Sequence, residues 1–142
     1  MIIGEFQQKV GAKKRIAIPS VFRKELKGKL YITRGYEQSL VIVDEQRWEK
    51  IISPLVQGPM INNSIRQTSR ILIGGAREIT TDPQGRFVLP DNLFVYAGIM
   101  SDIVWVGLIN WIEIWNVNAW SNQLKYLKTH GGEIAEHLTS TY

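Results

Sequence analysis

Short apolar runs rich in Ile, Val, Leu and aromatic residues alternate with polar turns along this chain, and the whole pattern occurs twice. In the first copy the alternation predicts a strand over Glu5–Val10, a turn over Gly11–Lys14 and a strand over Arg15–Ile18. Pro19 stops that strand, since it cannot donate to a central ladder, and it suits the first turn of a helix over Pro19–Lys27, with Ser20 beside it as an acceptor for free amides. Two apolar strands follow, Lys29–Arg34 and Ser39–Val43; Asp44 then caps a helix running to Ile52, where Ser53-Pro54 ends it. The second copy has the same order: strand Arg77–Thr81, turn Asp82–Gly85, strand Arg86–Leu89, helix Pro90–Ala97 with Asp91 at its start, strands Asp102–Leu108 and Trp111–Trp115, and a helix capped by Asn116 or Asn118 that runs to about Lys128.

At a spacing of 71, Gly4, Arg15 and Pro19 fall on Gly75, Arg86 and Pro90. After one inserted residue the spacing is 72, placing Gly35 on Gly107, Leu40–Val43 on Ile112–Trp115, and Trp48 on Trp120. Between the copies, Gln57-Gly58-Pro59 marks a loop and Ser64–Leu72 a linking helix ended by Gly74-Gly75; Gly131-Gly132 is expected to end the last helix. The expected fold is α+β, with two tandem β-β-α-β-β-α halves over residues 1–54 and 76–130, a helix-bearing linker over 55–75 and a flexible tail over 131–142. A half of about 50 residues has too small a core to stand alone, so the two halves should share one sheet system.

Composition narrows the function. With 44% hydrophobic and 21% charged residues over 142 positions, disordered and collagen-like classes are excluded. The absence of cysteine removes disulfides, zinc thiolates and cysteine nucleophiles. The longest apolar stretch, Ile103–Ile109 with Gly107 inside it, is far short of the roughly 18 residues that cross a bilayer. Glu5, close to the start, stands where a secretory signal would carry positive charge, which leads to the expectation of a cytoplasmic protein. The net charge of +4 hides an asymmetry: residues 1–34 carry +7 and the rest −3. Lys9, Lys13, Lys14 and Arg15 cluster around the first turn, expected as the tip of a two-stranded ribbon, a shape that enters a DNA major groove. A solvated basic face is the other reading of the same charges.

The segments Gln8-Lys9-Val10-Gly11-Ala12-Lys13-Lys14-Arg15-Ile16-Ala17-Ile18-Pro19 and Thr81-Asp82-Pro83-Gln84-Gly85-Arg86-Phe87-Val88-Leu89-Pro90 resemble the paired signature of the MraZ family, an Asp-x-x-x-Arg motif in each of two tandem halves. Thr33-Arg34-Gly35, Gly74-Gly75-Ala76 and Ile112-Glu113-Ile114-Trp115 extend the resemblance to about residue 128. It implies AbrB-like swapped-hairpin barrels and a transcriptional repressor associated with the nucleoid. That regulator would bind direct repeats in double-stranded DNA upstream of the division and cell-wall gene cluster, and would assemble as a ring-shaped homo-oligomer. By position the second motif is complete, with Asp82 and Arg86, whereas the first keeps Arg15 but has Gly11 for the Asp and Lys14 for the usual Gly before the Arg. The implied DNA-binding set is Lys9, Lys13, Lys14, Arg15, Gln84, Gly85 and Arg86, with Asp82 holding its turn. Arg86 could instead be only a partner of Asp82, and Gln84 only a turn residue.

Other chemistry is weak. Dinucleotide, phosphate-loop and nucleophile-elbow patterns do not occur, so no enzyme, cofactor or small-molecule substrate is expected. His130 and His137, with Glu133 and Glu136, suggest a metal site only if one helix aligns them, and Gly131-Gly132 is expected to break it. Trp105, Trp111, Trp115 and Trp120 suit core or subunit contact better than base stacking. The competing function is a ring-forming assembly protein that docks acidic protein partners on the basic turn.

Overall fold

The strands form where the apolar runs lie, and the first strand of each half pairs with the other half. A computed structural model describes residues 1–141; Tyr142, the end of the expected tail, lies outside them. The first half runs β1 (Ile3–Lys9), β2 (Arg15–Ala17), α1 (Ser20–Arg23), β3 (Leu30–Arg34), β4 (Leu40–Asp44) and α2 (Glu45–Gln57). After α3 (Asn63–Leu72) come β5 (Arg77–Ile79), β6 (Arg86–Val88), α4 (Asp91–Tyr96), β7 (Asp102–Leu108), β8 (Ile112–Asn116) and α5 (Val117–Thr141). Six strands make one antiparallel sheet in the order β1-β7-β8-β4-β3-β5, and β2 and β6 make a separate ribbon. Thus β1 adds to the β7–β8 hairpin and β5 to the β3–β4 hairpin. Among the described residues no ladder joins the edges β1 and β5 into a closed barrel.

The registers reveal the symmetry of this exchange. Ile16 faces Phe87 in the ribbon and Val41 faces Glu113 in the sheet. Both pairs are repeat equivalents, so a pseudo-two-fold axis passes between the members of each. Ile16 and Phe87 turn inward onto Ile18, Phe22, Ile32, Ile42, Leu89, Leu93, Ile103, Trp105, Ile112 and Ile114, the core that both halves contribute to. Burial of each such side chain contributes about 1.5–3 kcal/mol. The alternate residues of β7 and β8, Val104, Val106 and Trp115, face Val117, Ala119 and Trp120 around the start of α5. Burial of β7 on both faces explains its unbroken apolar sequence. Gly107 lies on the inner face because a Cβ there would stand 2.7 Å from the Phe22 ring and 2.9 Å from the Ile3 amide nitrogen.

The helices depart from expectation at their ends. Pro19 and Pro90 precede α1 and α4 as caps instead of opening them, and their carbonyls take the first amides, those of Phe22 and Arg23 and of Leu93 and Phe94. Neither Ser20 nor Asp91 accepts an amide as a side-chain cap, and α1 closes after one turn instead of reaching Lys27. Asp44 and Asn116, at equivalent positions, cap α2 and α5 through their side chains. α2 passes the expected stop at Ser53-Pro54, since Pro54 falls in the last turn, where the missing amide costs a single hydrogen bond. α5 passes Gly131-Gly132 without a break, although each glycine there costs about 1 kcal/mol against alanine.

Candidate nucleic-acid interface

The second turn is built by Asp82. Its Oδ1 accepts the backbone amides of Gln84 and Arg86, both at 2.9 Å, and its Oδ2 accepts Arg86 Nε at 2.6 Å. The hydrogen bond from the Arg86 amide, opposed by desolvation and reinforced by the Arg86 guanidinium and the Gln84 amide, holds the Asp82 carboxyl below the usual aspartate range. Gly85 takes a left-handed φ of 79° and closes the turn by donating to the Asp82 carbonyl. The Arg23 guanidinium of α1 covers this turn, donating to the carbonyls of Gln84 at 2.6 Å and Ile18 at 2.9 Å.

The first turn reaches the same closure without the acid. Gly11 donates to the Arg15 carbonyl at 2.8 Å, as Asp82 donates to that of Arg86 at 3.0 Å. Lys14 occupies the place of Gly85 with φ 60°, and Lys13 is left-handed too, at 59°. Such a backbone costs a side-chain-bearing residue about 1–2 kcal/mol. What holds Lys14 there comes from the other half: its ammonium donates to Asp91 Oδ1 at 2.6 Å and lies 5.0 Å from the centre of the Phe94 ring. The Lys14 hydrogen bond and charge keep the Asp91 carboxyl below its ordinary range. Each turn is therefore braced by the short helix of the opposite half, through Arg23 of α1 and through Asp91 and Phe94 of α4.

Between the turns lies the ribbon. It is not the expected β1–β2 hairpin with basic residues at its tip: β2 pairs with β6, and the two turns flank opposite ends of a ribbon three residues long. Arg15 faces Val88 and Ala17 faces Arg86, which makes Arg15 and Arg86 diagonal neighbours on its exposed face, at roughly 7–8 Å between Cα atoms. Among the described residues nothing engages the Arg15 guanidinium, whereas Arg86 is tied to Asp82 through Nε. An open groove of about 310 Å³, lined by Gln8, Lys9, Ala12, Arg15 and Arg86, borders this face, and a second of about 400 Å³ is lined by Arg15, Thr81, Asp82, Arg86 and Val88. Lys9, Lys13 and Gln84 are exposed and Gly85 is buried.

Three residues that complete the arrangement lie outside the motifs. Gln8 clamps β2 to β1, its amide donating to the Ala17 carbonyl and accepting the Ala17 amide. Arg23 and Asp91 are the braces already described; as an exposed charge on a predicted helix, neither carried a signal of that role. Arg34, one of the basic residues of the first segment, turns away to cap the end of α3, donating to the carbonyls of Arg70 and Ile71. At the C-terminus the unbroken α5 removes the expected reason for setting His130, Glu133, Glu136 and His137 aside; no group of three or more His, Asp or Glu that could hold a metal ion occurs among the described residues. Among them, too, no helix is long and apolar enough to cross a membrane.

A family model described as "MraZ protein, putative antitoxin-like" matches the chain twice, over residues 1–71 and 72–138. A protein of Herpetosiphon aurantiacus called transcriptional regulator MraZ is 34% identical over 140 residues, spanning 99% of this chain and 98% of its own length. Proteins of the same name from Clostridium tetani and a Thermoanaerobacter species are 40% identical over 120 residues and 33% identical over 138, covering 84% and 97% of this chain and 84% and 96% of their own lengths. Two family matches that together span nearly the whole chain, on the repeat that the strand registers display, place it: the chain belongs to the MraZ family.

Proposed function

We propose that the chain is a transcriptional regulator that binds double-stranded DNA with the outer face of the β2–β6 ribbon. The observation that carries this reading is the pair of motif arginines, Arg15 and Arg86, exposed side by side on a two-stranded ribbon and braced from both ends. Arginine forks suit guanine edges and phosphates alike. Lys9 and Lys13 would meet phosphates, Lys14 would join them when released from Asp91, and Gln84 and Gly85 would present the second turn, with Asp82 keeping its shape. The finer reading is specific binding to promoter direct repeats, those of the division and cell-wall gene cluster, with repression as the outcome, by a cytoplasmic, nucleoid-associated protein that performs no catalysis and needs no cofactor.

The exchanged first strands support reading residues 1–54 and 76–130, joined by 55–75, as one AbrB-like swapped-hairpin unit. Exposed apolar side chains such as Met60, Ile61, Val95 and Met100 support a homo-oligomer, and a head-to-tail contact closes into a ring. The test is binding to a duplex carrying direct repeats and to a scrambled duplex at matched salt. The expected preference is at least about a thousandfold. Equal affinities would reject specific recognition and leave docking of an acidic protein as the use of the basic turn.

A further inference from the structure

Helix α5 leaves the molecule with its apolar side uncovered. Its start packs on the sheet through Val117, Ala119 and Trp120, but residues 125–129 and 132–139 are exposed, Leu127, Ile134 and Leu138 by 37%, 42% and 59%. These side chains are not scattered. Leu124, Leu127, Gly131, Ile134 and Leu138 succeed one another at alternating spacings of three and four beyond the part packed on the sheet, the seam of a helix that pairs with another helix.

Two further features say what covers the seam. Gly131-Gly132 sits inside a continuous helix, where glycine is unfavourable, and nothing lies within 4 Å of the place where either Cβ would be. Among the described residues nothing else packs on the helix at these two positions, and Gly131, on the seam, lets another helix approach closely. Charge then selects the partner. Lys125 and Lys128 precede the glycines and Glu133 and Glu136 follow them. A second α5 laid antiparallel puts the basic end of each helix beside the acidic end of the other, whereas a parallel one stacks like on like.

We propose that α5 pairs antiparallel with α5 of a second copy of this chain, across a two-fold axis, with Leu127 seated over the second copy's Gly131 and Leu124 beside the second copy's Ile134. This contact is self-complementary, unlike the head-to-tail contact that closes a ring, and uses none of the residues assigned to DNA. It joins protomers, or whole rings, in pairs.

Because the chain has no cysteine, introduced thiols report without background. Full-length L124C and I134C, mixed under mild oxidation, should form a mixed disulfide in high yield while each alone forms little. Self-linking of L124C at the level of the mixture would mean parallel pairing and would overturn the proposal, as would a mixture that does not link. Sedimentation supplies the second arm, with Leu127→Gln, Ile134→Gln and Leu138→Gln combined in the full chain. All three positions are exposed, so thermal unfolding of the body should be unchanged while the particle mass falls by half; an unchanged mass overturns the proposal. Halving is read whatever the ring size, so absence of a ring would show separately, as a dimer becoming a monomer.

Discussion

Lys14 and Asp82 show one turn geometry reached by two chemistries. At the second turn a carboxylate gathers the amides of Gln84 and Arg86; at the first a left-handed lysine is held by Asp91 across the pseudo-two-fold axis. Both acids are held below their ordinary range, so each turn is fully supported above the usual aspartate pKa of about 3.9 and loses its support as pH falls through the depressed value. For the second turn this predicts that the Gln84 and Arg86 amide resonances move in acid with a midpoint below the ordinary aspartate value. Asp82→Asn, which keeps an acceptor but loses the charge, should abolish that movement. A midpoint at the ordinary value would show that Asp82 is not engaged in solution. The motif acid was legible in the sequence because Asp at a turn followed four residues later by Arg has a local mechanism. Asp91 was not, because its partner lies 77 residues away and only the fold brings them together.

At the scale of elements, local pattern located the strands and missed their partners. β4 and β8 lie within a residue of their expected bounds, since a short apolar run bounded by turn residues specifies a strand wherever it pairs. The joining of β2 to β6 and of β1 to β7 follows from core shared across the halves, and no local signal carries it. The helix ends misled for a related reason: Pro54 and Gly131-Gly132 weaken a helix by amounts that position or packing can offset. Gly107 tests the exchange directly, being the point where β7 passes both Phe22 and the β1 backbone. Gly107→Ala should destabilise the protein by about 1–3 kcal/mol in denaturant unfolding, because a rigid backbone neighbour cannot yield as a side-chain tip can. An unchanged midpoint would mean that β1 does not lie against β7 as described.

For the molecule as a whole, the placement of charge decides how tightly DNA is held and how salt weakens it. The first segment carries +7, yet Arg34 caps α3, Arg23 braces the second turn and Lys14 is neutralised by Asp91. Fewer cations face outward than the charge count suggests, and Lys9, Lys13 and Arg15 are the exposed ones at the first turn and the groove beside the ribbon. Each phosphate contact adds about 0.9 to the slope of log affinity against log salt, so the slope separates contacts from braces. Lys13→Ala should flatten it by about 0.9 per engaged subunit on repeat and scrambled duplexes alike. Lys14→Ala should flatten it by less, because its ammonium is shared with Asp91. Arg15→Ala should weaken the repeat duplex more than the scrambled one while leaving fold and assembly intact, since its guanidinium makes no hydrogen bond or ion pair among the described residues. Asp91→Asn gives the opposite sign: with its counter-charge gone, Lys14 is free to meet a phosphate, and the slope should steepen by up to about 0.9 per engaged subunit. Salt titrations of the four variants against the wild type read all of this on one scale. An Asp91→Asn slope equal to or shallower than wild type would show that Lys14 faces away from the DNA, and that the first turn contributes only Lys13 and Arg15.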